Sequence, residues 1–265
     1  MYAFEYHKPS SVEDAVAALS GKDDPKIVAG GMTLLPTMKQ RLASPSDLID
    51  LGGVADLVGV REEGAALVIG AMTTHAAVAR NELVRAKIPT LARLAEGIGD
   101  PQVRHRGTLG GSVANADPAA DYPAALVGLG ATVITNQREI PADDFFVDLF
   151  ETALEADELI TAVRFPIPQR AGYSKFPNPA SRYAIVGVFV AQTGGDIRVA
   201  VTGAKGSVFR VAEMEEALAA NFTPDAVAGI RVSDDAMNSD IHASAEYRAH
   251  LVTVMAKRAV AAALG

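Results

Sequence analysis

The 265-residue chain carries 24 lysines and arginines against 32 aspartates and glutamates, a formal charge of −8 that disfavours a general nucleic-acid-binding surface. It has no cysteine, which excludes disulfides, thiolate nucleophiles and cysteine-bound zinc or iron–sulfur clusters on these residues. Hydrophobic residues make up 49%, no apolar run is long enough to cross a bilayer, and Met1 to Pro9 shows no signal-peptide pattern, so a globular cytoplasmic protein is expected.

In chain order, residues 1–52 read as strand, helix (Ser11 to Leu19), strand, glycine loop, helix (Leu34 to Leu42) and short strand, a small α/β unit. Two strand-like runs between Leu57 and Gly70 flank Glu62-Glu63-Gly64 and suggest a hairpin. Helices are expected at Thr74 to Arg80, Ile88 to Gly97 and Ala119 to Leu129, and strands at Ala131 to Thr135 and Glu158 to Phe165. Two prolines and a glycine make Pro166 to Gly172 the natural boundary, because they resist regular structure. Beyond it, Tyr173 to Phe176, Ile185 to Thr193 and Ile197 to Gly203 read as a three-stranded antiparallel sheet. Helical patterns at Val211 to Ala220, Pro224 to Ile230 and Ser244 to Leu264 then complete an α+β unit.

Two glycine-rich stretches carry the chemistry: Lys26-Ile27-Val28-Ala29-Gly30-Gly31-Met32-Thr33-Leu34-Leu35-Pro36 and Arg106-Gly107-Thr108-Leu109-Gly110-Gly111-Ser112-Val113-Ala114-Asn115. Each sets adjacent glycines beside a hydroxyl residue, so bare backbone N–H groups and a hydroxyl can converge on phosphate oxygens. The first runs from an apolar strand into a helix with Thr33 as its expected N-cap, a geometry suited to an anion; an ordinary tight turn is the alternative. Neither GxGxxG nor GxxxxGK[ST] is present in the first stretch. The five histidines, His7, His75, His105, His242 and His250, lack metal-ligand spacing and read as structural or solvated. Glu96, Asp100, Arg104 and Arg106 read as surface ion pairs.

Three ordered segments give a specific resemblance: Ala29 to Pro36, Gly107 to Pro118 and Ser239-Asp240-Ile241-His242-Ala243-Ser244-Ala245-Glu246-Tyr247-Arg248. Over nearly its whole length the chain resembles the FAD-binding medium subunits of molybdenum hydroxylases, a family related to the flavin domain of xanthine dehydrogenase. The resemblance implies a vanillyl-alcohol-oxidase type of FAD-binding fold at residues 1–168, with subdomains of about 1–55 and 56–168. An α+β domain at 169–265 would cover the flavin. Ala29, Gly30, Gly31, Met32, Thr33 and Leu34 of the first loop and Thr108, Leu109, Gly110, Gly111 and Ser112 of the second would bind the pyrophosphate and ribityl chain of a noncovalent FAD. Lys26 and Asn115 would approach the same cofactor, Asp121 a ribose hydroxyl, the backbone near Leu159 and Ile160 the adenine, and Lys175 and Tyr183 the isoalloxazine. Met32 stands where many relatives carry His, and Arg182 where a small residue is common.

By the same resemblance, molybdopterin and iron–sulfur clusters belong to a large and a small partner subunit, assembled as a dimer of heterotrimers. This chain would pass their electrons to an external acceptor. No catalytic acid or base and no metal ligand is expected on it. A self-contained flavin oxidase or reductase of the same fold is the alternative, and it would need a proton-accepting residue over the flavin.

Overall fold

The computed structural model describes residues 1–265. Three parallel strands, Glu5–His7, Asp47–Asp50 and Pro25–Val28 in that spatial order, form the first sheet. Helix Val12–Leu19 connects the first and third of these, capped by the Ser11 side chain accepting from the Asp14 N–H. Its Ala15 and Leu19 bury against Ile49 and Leu51, and Leu159 joins this small core from far along the chain.

A five-stranded antiparallel sheet follows, in the order Val60–Glu63, Ala66–Gly70, Ile160–Pro166, Thr132–Thr135 and Glu139–Pro141. The expected hairpin at 57–70 is its first pair. Helices His75–Arg80, Glu82–Lys87, Pro89–Glu96 and Tyr122–Leu129 pack against this unit around the largest core. Tyr122–Leu129 is buried on every side, as its uniformly apolar sequence requires.

The covering sheet differs from expectation: it has four strands, Arg170–Pro177, Ala184–Thr193, Asp196–Thr202 and the two-residue Phe209–Arg210. The boundary segment also differs, since Pro166 closes one strand and Arg170 already opens the next. Strand Ala184–Thr193 is buried on both faces. Val186, Val188 and Val190 join the core containing helix Ala245–Leu264, while Phe189 and Ala191 join the core containing Tyr122–Leu129. The covering sheet is thereby welded to the five-stranded unit by apolar packing. The expected helix at 224–230 is a single 3₁₀ turn, Pro224–Val227.

Candidate flavin site

The two glycine stretches meet. Gly30 is pressed against the Arg106 carbonyl, and a Cβ there would stand 2.8 Å from the Gly107 Cα. The first stretch therefore needs glycine where the second crosses it, whereas a Cβ on Gly111 would meet the Ala29 methyl at an ordinary contact distance of 3.4 Å and crowd Thr108 Oγ1 of its own stretch at 2.8 Å. Together they line a cleft of about 510 Å³, in the range of small-molecule and cofactor sites.

The stretches differ in what they offer a ligand. The backbone N–H groups of Gly30, Gly31, Met32 and Thr33 make no hydrogen bond within the chain, and all four residues line the cleft. Gly31 has φ +70°, a conformation open to glycine and strained for most other residues. In the second stretch, Leu109 donates to the Thr73 carbonyl at 3.0 Å, Gly110 to that of Ala71 at 2.8 Å and Gly111 to Thr108 Oγ1 at 3.1 Å. Contrary to the sequence reading, its glycines therefore present a close-fitting surface and not free donors. The stretch is itself a helix, Leu109–Asn115, with Thr108 as N-cap. Thr33 precedes helix Leu34–Lys39 but makes no side-chain cap.

One wall of the cleft is polar and buried. Asp121 sits just before helix Tyr122–Leu129; its Oδ1 accepts from the Tyr173 hydroxyl and its Oδ2 from Lys175 Nζ at 2.9 Å. Lys175 also donates to the Gly97 carbonyl at 3.0 Å. Burial raises the Asp121 carboxyl above the usual range, against the pull of Lys175 and Tyr173. Burial likewise raises Asp117, although that carboxylate accepts from the Ala119 N–H, and raises the Tyr183 phenol, with Asp117 and Asp121 adding to the effect. At another part of the lining, Arg138 and Thr135 hold Glu158, whose pKa falls to about 2 chiefly through the Arg138 hydrogen bond.

Most of the expected residues line this one cleft: Lys26, Ala29 to Leu34, Thr108, Gly110, Gly111, Ser112, Asn115, Asp121, Ile160 and Tyr183. Two do not. Leu109 is sealed in the core, and Lys175 lies behind the wall, its charge compensated by Asp121. Lining residues absent from the expectation include His75, Asp117, Glu158 and Arg182, the last at φ +63° in the turn before Tyr183. Asp117, Glu158 and Arg182 lie within two positions of expected residues in the sequence; His75 reaches the cleft only through tertiary packing. Glu96, Asp100, Arg104 and Arg106 form no ion pairs. Asp100 instead caps helix Pro101–Arg106, and Arg104 binds the Ile98 and Gly99 carbonyls.

A cleft with free loop donors, a glycine-lined floor and a second domain folded over it is the build of a nucleotide-cofactor flavoprotein. Residues 2–168 match the model of the FAD binding domain in molybdopterin dehydrogenase, and residues 171–263 that of the CO dehydrogenase flavoprotein C-terminal domain. The nicotine 6-hydroxylase medium subunit of Paenarthrobacter nicotinovorans is 39% identical, the match covering 97% of this chain and 96% of that one. The carbon monoxide dehydrogenase medium chain of Hydrogenophaga pseudoflava is 38% identical, covering 98% and 96%. Among solved structures, the Cu,Mo-CO dehydrogenase superposes with a TM-score of 0.88 at 35% identity over 99% of this chain and 98% of that one. Quinoline 2-oxidoreductase from Pseudomonas putida 86 gives 0.89 at 29% identity, over 98% and 96%. The chain belongs to the family of FAD-binding subunits of molybdopterin-dependent dehydrogenases. It is an oxidoreductase subunit, and FAD is its cofactor. The residues present fit that cofactor, since four unpaired N–H groups in a cradle that a Cβ would fill are what a pyrophosphate requires.

Proposed function

We propose that this chain is the electron outlet of a heteromeric molybdenum hydroxylase, receiving electrons from the iron–sulfur clusters of a small subunit and passing them to an external acceptor. A molybdopterin-bearing large subunit would oxidise the substrate. The assembly would be a cytoplasmic dimer of heterotrimers. Residues 1–168 would bind the cofactor, with subdomains of about 1–55 and 56–168, and 169–265 would cover it.

The observation that carries the reading is the run of four free N–H groups from Gly30 to Thr33, facing a second glycine stretch across one cleft. When bound, FAD supplies a group that accepts and releases electrons. Gly30 to Thr33 would hold its pyrophosphate from one side, and Thr108, Gly110, Gly111 and Ser112 would close on it from the other. Lys26 and Asn115 would flank the same region. Asp121 would orient a ribose hydroxyl while anchored by Lys175 and Tyr173, and the backbone near Leu159 and Ile160 would receive the adenine. Tyr183, on the covering domain, would shield the ring from water. The 265 residues hold no cysteine to ligate a cluster, which supports placing clusters and molybdenum on partners.

The test uses the FAD-loaded chain free of molybdenum and iron. Alone, it should leave its flavin oxidised in the presence of organic substrates, and reduction should appear when both partners are added. Turnover of a substrate by the lone chain at about 1 per second or faster would replace this reading with a self-contained oxidase.

A further inference from the structure

We propose that His75 is a further binding residue for the FAD pyrophosphate, its neutral imidazole donating from Nε2 at the point where the two glycine loops meet. The inference rests on the reading above that these loops hold the cofactor. Gly110 N–H bonds to the Ala71 carbonyl at 2.8 Å, Leu109 to Thr73 at 3.0 Å, and the His75 N–H to the Gly107 carbonyl at 2.9 Å. Thr74 pairs with Thr108 between them. Residues 71–75 thus lie as a ribbon along the second loop, with His75 at its end. A Cβ on Gly107 would stand 2.6 Å from His75 Nε2, and one on Gly30 would stand 2.8 Å from the Gly107 Cα. First loop, second loop and imidazole therefore converge on a single glycine.

His75 is only 4% exposed yet lines the cleft, and it makes no side-chain hydrogen bond. Its Nδ1 is sealed without a partner beside Tyr122, the two ring centroids 5.4 Å apart. A buried imidazole with both nitrogens unused is costly, and an apolar side chain would pack as well. A sealed N–H costs more than a sealed lone pair, so the proton belongs on Nε2, toward the cleft. Burial first, and then the nearby Arg104, hold the imidazole pKa down to about 4, so the ring stays neutral and donates a single N–H. A phosphate oxygen is the acceptor that rewards such a donor, because a hydrogen bond to a charged group is about twice as strong as a neutral one.

The experiment is a titration of the full chain with FAD, ADP and riboflavin, the last lacking phosphate. His75→Ala should raise the dissociation constants of FAD and ADP about tenfold and leave that of riboflavin unchanged. His75→Gln, which keeps a side-chain N–H, should recover most of the loss. An ADP affinity unchanged in His75→Ala, or a riboflavin affinity that falls as far as that of ADP, overturns the assignment. Gly30→Ala serves as reference: if it binds FAD as wild type does, the loops are not the site and the underlying reading fails instead. Should His75→Ala not fold, ¹⁵N spectra of the wild-type histidines decide. An Nε2–H tautomer whose resonance moves on adding ADP supports the proposal, and an Nδ1–H tautomer or an unmoved resonance overturns it.

Discussion

Replacing Lys175 by Met should destabilise the protein in a pH-dependent way. Only 13% of the Lys175 side chain and 5% of that of Asp121 is exposed, so removing the ammonium leaves a carboxylate buried beside Tyr173 with no counter-charge. Breaking such a pair from one side costs about 3–5 kcal/mol, and the surviving Tyr173 hydrogen bond argues for the lower end, about 3 kcal/mol at about pH 8. The pH trend follows from the carboxyl. Burial already raises Asp121 above its ordinary value, and losing Lys175, which lowers it, raises it further. A carboxyl whose folded-state pKa exceeds its unfolded one takes up a proton on folding, so its ionised form weakens the fold as pH rises and its neutral form relieves that loss as pH falls. The deficit of Lys175→Met relative to wild type should therefore shrink between about pH 8 and about pH 5.5. Urea unfolding followed by circular dichroism at both values measures it. Asp121→Asn combined with Lys175→Met, which carries no buried charge, should recover more than half of the loss at the higher pH. Equal deficits at both pH values, or a double variant no more stable than the single one, would refute the reasoning.

Gly30→Ala should weaken FAD binding at least tenfold, about 1.4 kcal/mol, because its methyl group meets the Arg106 backbone and forces the loops apart; fluorescence titration reads the change. FAD should co-purify in about one-to-one ratio and pass to the supernatant on acid precipitation; flavin retained in the pellet would show a covalent link.

The glycine stretches were legible because a glycine pair close to a hydroxyl is a local pattern, and strands such as Ala184–Thr193 because a short apolar run bounded by turn residues is local too. What escaped detection depends on distant partners. The second stretch is a helix although glycine is a poor helix former, since Thr108 caps it and its first N–H groups bind Ala71 and Thr73. The same bonds consume the donors that the sequence pattern advertised for phosphate. Lys175 carries no local sign that Asp121, 54 residues away, turns its ammonium from the cleft. His75 had one usable signal: it follows two threonines at the start of a helix. Only the ribbon pairing of residues 71–75 with the second loop brings it to the cleft. Phe209–Arg210 is too short a strand for any periodicity to reveal.

The segment from Ser239 to Arg248, recognisable in sequence yet remote from the cleft lining, finds its physical reason in how the cleft wall is held. Arg248 is buried, donates to the Ile185 and Gly203 carbonyls at 2.6 and 3.0 Å, and pairs with Asp240 at 2.7 Å. Next to those carbonyls, Ala184 N–H binds the Ala119 carbonyl at 3.1 Å and Gly203 N–H that of Pro118 at 2.7 Å. Thr202 Oγ1 adds bonds to Pro118 and Ala120 at 2.8 and 2.7 Å. The run from Pro118 to Ala120 leads directly into Asp121, whose carboxylate Tyr173 and Lys175 of the covering sheet then fix. Arg248 thus ties the ends of two covering strands whose neighbouring groups grip this wall, and it does so without touching the cleft. Hydrogen-bonded groups from residues 173–203 hold the 118–121 wall in place, and Ser181, Arg182 and Tyr183 add to the lining from the same side. The glycine loops are fixed by each other and by residues 71–75, and this wall by the strands packed across it, so the two sides of the cleft are held by separate sets of contacts.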